Sequence, residues 1–424
     1  MFDILKKYNF WDGQKIPCGF FRNSYFDQIK SMTGNKLVKV ILGQRRSGKS
    51  FLLRMIMQHL IDSSVSANNI LYINKEFDEL SEISDNISLL KAVNEYIEKM
   101  KPTGKIYLFL DEVQEIDGWE KAVNSFAQNY VTEFEVFITG SNAHMLSGEL
   151  ATYLSGRYIT INVYPFSFDE FCDSKNLSKE KASFMEYMKT GGIPEIIFLN
   201  NYDNQLNYMK VLRDSIILRD VITRYNVRDA YLLDRIYAFV TDSIGSFVSV
   251  NSLANYMKSN GYSGNIETVG SYLGYLENAF LIHKSVRFDI KGKKVFSREK
   301  KYYLNDVGFR SFFSSSFDPA IGKYLENIIF ISLLRNGYSV YTGTINGSEI
   351  DFIAEKNGEK QYIQVTYLLS SDEIINREFG NLELIKDNFP KTVVSLDEMS
   401  FGNRNGIKHM TAWEFEKELS VIKF

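Results

Sequence analysis

In the first third of the chain, short apolar runs alternate with longer stretches of helical periodicity. Leu37 to Leu42, Ile70 to Asn74, Ile106 to Leu110 and Glu135 to Thr139 read as strands. Phe51 to Leu60, Leu89 to Met100 and Trp119 to Tyr130 place apolar residues three and four apart and read as helices. A run as apolar as Ile106 to Leu110 suits a strand buried on both faces, as in a parallel sheet. Strands alternating with helices predict an α/β fold. A short helix, Tyr25 to Met32, precedes the first strand, and Tyr158 to Val163 is an alternating stretch.

Beyond that the pattern changes. Residues 168–230 read as mostly helical. Residues 231–310 read as helices at Leu232 to Asp242 and Asn251 to Ser259, then a helix capped by Asn265 with Ile266, Val269, Tyr272, Leu273 and Leu276 on one stripe. Asn251 is the candidate cap of the second helix. Two strands follow, Leu281 to Asp289 and Val295 to Leu304. The last part reads as a helix from Ile321 to Leu334, then strands at Val340 to Thr342, Ile350 to Ala354 and Tyr362 to Tyr367.

The first strand and helix enclose Gly43-Gln44-Arg45-Arg46-Ser47-Gly48-Lys49-Ser50. Strand, Gly-rich loop, helix is the setting of a phosphate cradle. Backbone N–H groups turn inward, and the helix dipole adds positive potential. This makes Gly43 to Phe51 the candidate ATP contacts. Lys49 can reach the β- and γ-phosphates, and Ser50 can ligate Mg²⁺. Asp111 and Glu112 close the Ile106 strand. Asp111 suits the metal, and Glu112 suits polarising the attacking water. After the next strand, Ser141 or Asn142 could sense the γ-phosphate or orient the water, because ligands bind at the C-terminal edge of such sheets. The same residues suit a cap on the following helix. Arg157 is a candidate for stabilising transition-state charge, in cis or from a neighbouring subunit; a structural salt bridge is the alternative. Trp11, Phe20 and Phe21 suit the core or an adenine stack.

These segments, with Leu-Asp-Glu-Val-Gln (110–114), Thr-Gly-Ser-Asn (139–142), Leu-Ser-Gly-Arg (154–157) and Tyr-Pro-Phe-Ser-Phe-Asp-Glu-Phe (164–171), resemble the prokaryotic AAA-type ATPases that carry a C-terminal domain. The resemblance covers essentially the whole chain. It implies an AAA+-like core, Ser141 or Asn142 as sensor and Arg157 as arginine finger. Arg45-Arg46 and Gly191-Gly192-Ile193-Pro194-Glu195 also resemble the family. The paired glycines and the proline fix a turn, which suggests a hinge.

Composition narrows the picture. Net charge is −3, so the chain as a whole is no polyanion binder. From Lys284 to Lys301, however, eight Lys and Arg stand against Asp289 and Glu299, a local charge of +6. Three helices followed by a basic hairpin predict a winged helix. Its wing, 284–301, suits nucleic-acid phosphates, though winged helices also contact protein. The third helix, with Glu267 and Glu277, is a weak base reader. Cys18 and Cys172 cannot build a disulfide framework, and four scattered histidines offer no metal cluster. No apolar run approaches the roughly 18 residues of a membrane span, so a cytoplasmic chain is expected.

In residues 311–424, Glu326 on a helix, Asp351 on a hairpin and the strand after it resemble a PD-(D/E)xK nuclease. Where that family has Glu-x-Lys, this chain has Gln364-Val365-Thr366. Gln supplies no carboxylate and Thr no positive charge, which argues against competent cleavage. The expected architecture is therefore α/β: a P-loop core (1–166), a helical lid (167–230), a winged helix (231–310) and an inactive nuclease-like domain (311–424). The expected activity is Mg²⁺-dependent ATP hydrolysis, with assembly into a homo-oligomer left open. A nucleotide-gated switch with negligible turnover and a metal-dependent nuclease are the alternatives.

Overall fold

The computed structural model describes residues 1–13, 15–146, 152–313, 321–399 and 401–421. They form two units, Met1–Val163 and Tyr164–Phe424.

The first unit bears out the α/β expectation. Its strands are β1 (Val38–Leu42), β2 (Ile70–Asn74), β3 (Ile106–Asp111), β4 (Phe134–Gly140) and β5 (Tyr158–Asn162). They pair in the order β2-β3-β4-β1-β5, all parallel. Strands β1, β2 and β4 are buried at every position, because helices cover both faces. Phe109 stacks on Phe137 across β3 and β4 at 4.6 Å. Lys39 is the polar exception in β1. It pairs with Glu135 at 2.6 Å, and neither side chain has any exposure. The helices are α1 (Phe2–Tyr8), α2 (Asn23–Ser31), α3 (Lys49–Asp62), α4 (Asn86–Met100) and α5 (Trp119–Ala127). Trp11 belongs to the core: it is 1% exposed, stacks on Tyr96, and donates its indole N–H to the Ile70 carbonyl at 2.9 Å.

The second unit begins with helices and closes on a mixed sheet. Strands β6 (Phe247–Ser249), β7 (Ile282–Asp289), β8 (Lys294–Leu304), β9 (Ser339–Ile345), β10 (Ser348–Lys356), β11 (Glu359–Val365), β12 (Lys391–Ser395), β13 (Asn403–Arg404) and β14 (Ile407–Thr411) order as β13-β14-β12-β11-β10-β9-β7-β8-β6. The basic β7–β8 hairpin is thus hydrogen-bonded to the C-terminal strands through parallel β7–β9 pairing from Val286↔Tyr341 to Asp289↔Thr344. Asn265 caps its helix as expected, accepting from the Thr268 N–H. Ser249, rather than Asn251, caps the helix before it, in a reciprocal capping box with Ser252. Ile216–Thr223 is a π-helix in which Thr223 Oγ1 donates to the Leu218 carbonyl, five residues back. Asp220 on this helix is only 1% exposed.

Gly191-Gly192 is held by hydrogen bonds and close packing. Asp306 accepts from the Gly192 N–H at 2.6 Å and from the Gly308 N–H at 2.8 Å. The Gly192 carbonyl accepts from the Phe166 N–H at 2.7 Å. A Cβ on Gly192 would lie 2.2 Å from the Phe166 carbonyl oxygen, so only glycine fits this close approach. Burial pushes the Asp306 carboxyl up to about 6, against those two N–H donors. The folded state therefore holds the Asp306 proton more tightly than the unfolded state does. Stability from this group is greatest near pH 4 and falls as pH rises through about 6. The swing is on the order of 3 kcal/mol. Denaturant titrations at pH 5 and pH 7 should show the fall in wild type and a flatter profile in Asp306→Ala; parallel profiles would contradict it.

Candidate functional site

Loop 43–48 leaves β1 at its C-terminal end and enters α3 at Lys49. The turn needs left-handed backbone at Gly48 (φ 95°) and at Arg46 (φ 66°). Gly43 meets β5, where a Cβ would stand 2.2 Å from the Val163 carbonyl oxygen. Lys49 is 4% exposed and curls back: its ammonium donates to the carbonyls of Gly43 (3.0 Å) and Gln44 (3.2 Å). Its third partner is Glu112 Oε1 at 3.3 Å. The buried Ser47 hydroxyl has no hydrogen-bond partner, an orphaned polar atom inside the loop. Arg45 pairs with Glu76 at 2.5 Å, and Arg46 is exposed.

Asp111 ends β3, fully buried. Thr139 donates its hydroxyl to Oδ1, and Tyr72 donates to Oδ2 at 2.7 Å. Burial and the neighbouring Glu112 charge push the Asp111 carboxyl up, against donors Thr139, Tyr72 and Ser50. Glu112 adopts left-handed backbone (φ 54°), and its N–H donates to Thr139 Oγ1 at 2.9 Å. Gln114 donates to Glu112 Oε2 at 2.5 Å, so both carboxylate oxygens are engaged. Burial raises the Glu112 carboxyl, but the Lys49 charge, the Gln114 hydrogen bond and the Arg45 charge outweigh it, and the net shift is downward.

This donor set fits a divalent cation. Two adjacent buried carboxylates, Asp111 and Glu112, have one ammonium paired with Glu112, and the Ser50 hydroxyl already reaches Asp111. Mg²⁺ would be held by Ser50 and Asp111 and would supply the missing positive charge next to the phosphates.

Sequence reasoning missed three residues here. Tyr72, Thr139 and Gln114 read as strand and loop residues. Parallel register brings Asn74 beside Asp111, with Tyr72 one turn of the pleat earlier on the same side. At the end of β4, Ser141 lies 3.4 Å from Gln114 Nε2. Asn142 instead uses its side-chain oxygen to accept from the His144 N–H at 2.8 Å, the capping alternative. Arg157 is exposed at the other edge of the sheet. Its carbonyl accepts from the Val38 N–H, at the start of β1. The length of β1, about 16 Å, separates that point from the loop. That distance argues against action in cis.

Residues 35–172 match a family described as an AAA domain, and residues 181–319 match one described as a domain of unknown function. An uncharacterized protein of Haemophilus influenzae is 36% identical over 378 residues, covering 88% of this chain and 92% of its own. The chain belongs to the family of that protein. An uncharacterized protein of Methanocaldococcus jannaschii is 29% identical over 404 residues, 91% of this chain and 87% of its own. Among solved structures, a Walker-type ATPase of Pyrococcus abyssi overlaps with a TM-score of 0.45 at 15% identity, over 69% of this chain and 95% of that one. AMPPCP-bound DnaA of Aquifex aeolicus overlaps with a TM-score of 0.30 at 16% identity, over 64% of this chain and 91% of its own. The cradle, Asp111 and Glu112 all lie within the AAA-domain match. Among the described residues, no helix is long and apolar enough to cross a membrane.

Proposed function

We propose that the chain is an Mg²⁺-dependent ATPase. The observation that carries this is the convergence of Lys49, Asp111 and Glu112 on one buried point beside a left-handed, Gly-containing loop. In this reading Gly43 to Phe51 hold the nucleotide, and Lys49 leaves Glu112 for the phosphates. Ser50 and Asp111 hold the metal, and the released Glu112 oxygen accepts a proton from water. Ser141 senses the γ-phosphate through Gln114, and Arg157 serves a neighbouring copy. Phosphate release from ATP should need Mg²⁺ and stop with EDTA. Light-scattering mass in the same samples should rise with ATP. Release that ignores EDTA removes the metal from the reading, and a chain that stays monomeric removes Arg157.

A second reading, a nucleotide-gated switch with negligible turnover, is favoured by one feature: both oxygens of Glu112 are already engaged.

We also propose that the β7–β8 hairpin contacts nucleic-acid phosphates. Folding reduces its charge. Lys301 is buried, Lys284 pairs with Glu277, and Arg287 pairs with Glu299. Lys291, Lys293, Lys294 and Arg298 remain exposed. Neutralising Lys291, Lys293 and Lys294 together should weaken duplex-DNA binding. It should also lower the salt slope by about 2 to 3. An unchanged slope would take the hairpin out of the account.

A further inference from the structure

The resemblance in residues 311–424 implies carboxylates that grip a divalent metal, with a lysine beside them. Glu326 and Asp351 are present, and the expected lysine position is Thr366. The structure supplies a lysine from another strand, in a place that does not fit a metal. We infer that Lys301 stands in the metal's place: its ammonium is the built-in cation of the Glu326, Glu349 and Asp351 cluster, and that cluster takes no divalent ion.

The contacts leave little else open. Lys301, on β8, is 3% exposed. Its ammonium donates to Glu326 Oε1 at 2.9 Å and to Glu349 Oε1 at 2.5 Å. Glu326 Oε1 also accepts from the Tyr303 hydroxyl at 2.7 Å, so two donors occupy that oxygen. Gly245 approaches its other oxygen, Oε2: a Cβ there would lie only 2.8 Å from it. Asp351 Oδ2 accepts from the Val365 N–H at 2.8 Å. Gln364, which replaces the family carboxylate, accepts from the Asp351 N–H at 3.3 Å instead of facing a cation.

Charge agrees with geometry. Burial, then the Glu326 charge, push the Asp351 carboxyl well above its ordinary range, against the Lys301 charge and the Val365 N–H. Glu326 and Glu349 both pair with the Lys301 ammonium. Glu349, at 39% side-chain exposure, keeps its charge partly in water. A divalent ion would have to displace an ammonium that is already desolvated and hydrogen-bonded. The same ammonium ties β8 to helix Ile321–Arg335 and to β10, although β7 and β9 lie between β8 and β10 in the sheet.

The test is a Mn²⁺ titration of the full chain without nucleotide, with free Mn²⁺ read by paramagnetic resonance. Wild type and Asp351→Asn should give superimposable isotherms, because any uptake at the phosphate loop is common to both. Lys301→Met, which opens the space and leaves the carboxylates uncompensated, should take up additional Mn²⁺. It should also gain melting temperature as Mn²⁺ is added, while wild type shows no such cluster-dependent gain. Wild-type uptake that is lost in Asp351→Asn would overturn the inference and return a metal-dependent nuclease to consideration. A folded Lys301→Met chain that takes up no additional Mn²⁺ would overturn it too. If Lys301→Met does not fold, the comparison of wild type with Asp351→Asn decides alone.

Discussion

Lys49→Ala should reduce ATP affinity to below detection in a calorimetric titration. Lys49 is the ammonium that can span two phosphates. Charge-assisted hydrogen bonds contribute roughly 1.5–3 kcal/mol each, so losing two is worth about 10² to 10⁴ in affinity. Without nucleotide Lys49 spends its donors on the Gly43 and Gln44 carbonyls and on Glu112, so the substitution also acts on the free chain. Removing it also leaves Glu112, 5% exposed, without its nearest cation. Breaking such a buried pair costs about 3–5 kcal/mol of stability. A melting curve must therefore accompany the titration. Lys49→Arg, which keeps the charge near Glu112 but not the shape, separates the two effects. It should remain folded and still bind ATP poorly. Full affinity in a folded Lys49→Ala chain would remove the phosphate cradle from the account.

The physics that made this site legible is local. Strands β1 and β3 are mostly apolar, with Lys39 the exception in β1, and the residues at their C-terminal ends are polar: the Gly-rich loop after Leu42, and Asp111-Glu112 after Leu110. A parallel sheet must carry its ligands at that edge, so strand ends and chemistry coincide in sequence. What was not legible depends on register between strands. Tyr72 reads as one more aromatic in an apolar run. Only pairing of β2 with β3 shows that its hydroxyl reaches Asp111. The Gln364 and Thr366 substitutions removed a lysine at the expected spacing, yet Lys301 supplies a cation from fifty residues earlier than Asp351. Linear motifs cannot show a charge that has moved between strands. The packing at Gly191-Gly192 was hidden for a related reason. Gly-Gly indicates backbone freedom, but here glycine serves close packing against Phe166, and a distant Asp306 holds the turn.

Glu112→Gln should uncouple binding from hydrolysis. The glutamine is nearly isosteric, so Thr139 can still accept from the residue 112 N–H, and Gln114 can still donate to a side-chain oxygen. What disappears is the base. A positioned general base contributes about 10² to 10⁴ in rate, and single-turnover hydrolysis should fall by that factor. Binding should move the other way. In the nucleotide-free chain the Glu112 carboxylate competes with phosphate for Lys49. An amide cannot hold the ammonium as strongly, so Lys49 is released to the nucleotide and ATP should bind severalfold tighter. The two directions together separate the readings. Slower turnover with tighter binding is the signature of a catalytic carboxylate that also restrains Lys49. Equal, near-zero rates in wild type and variant, with tighter binding retained, would mean that Glu112 acts only as the restraint. The chain would then be a switch thrown when phosphate takes its lysine.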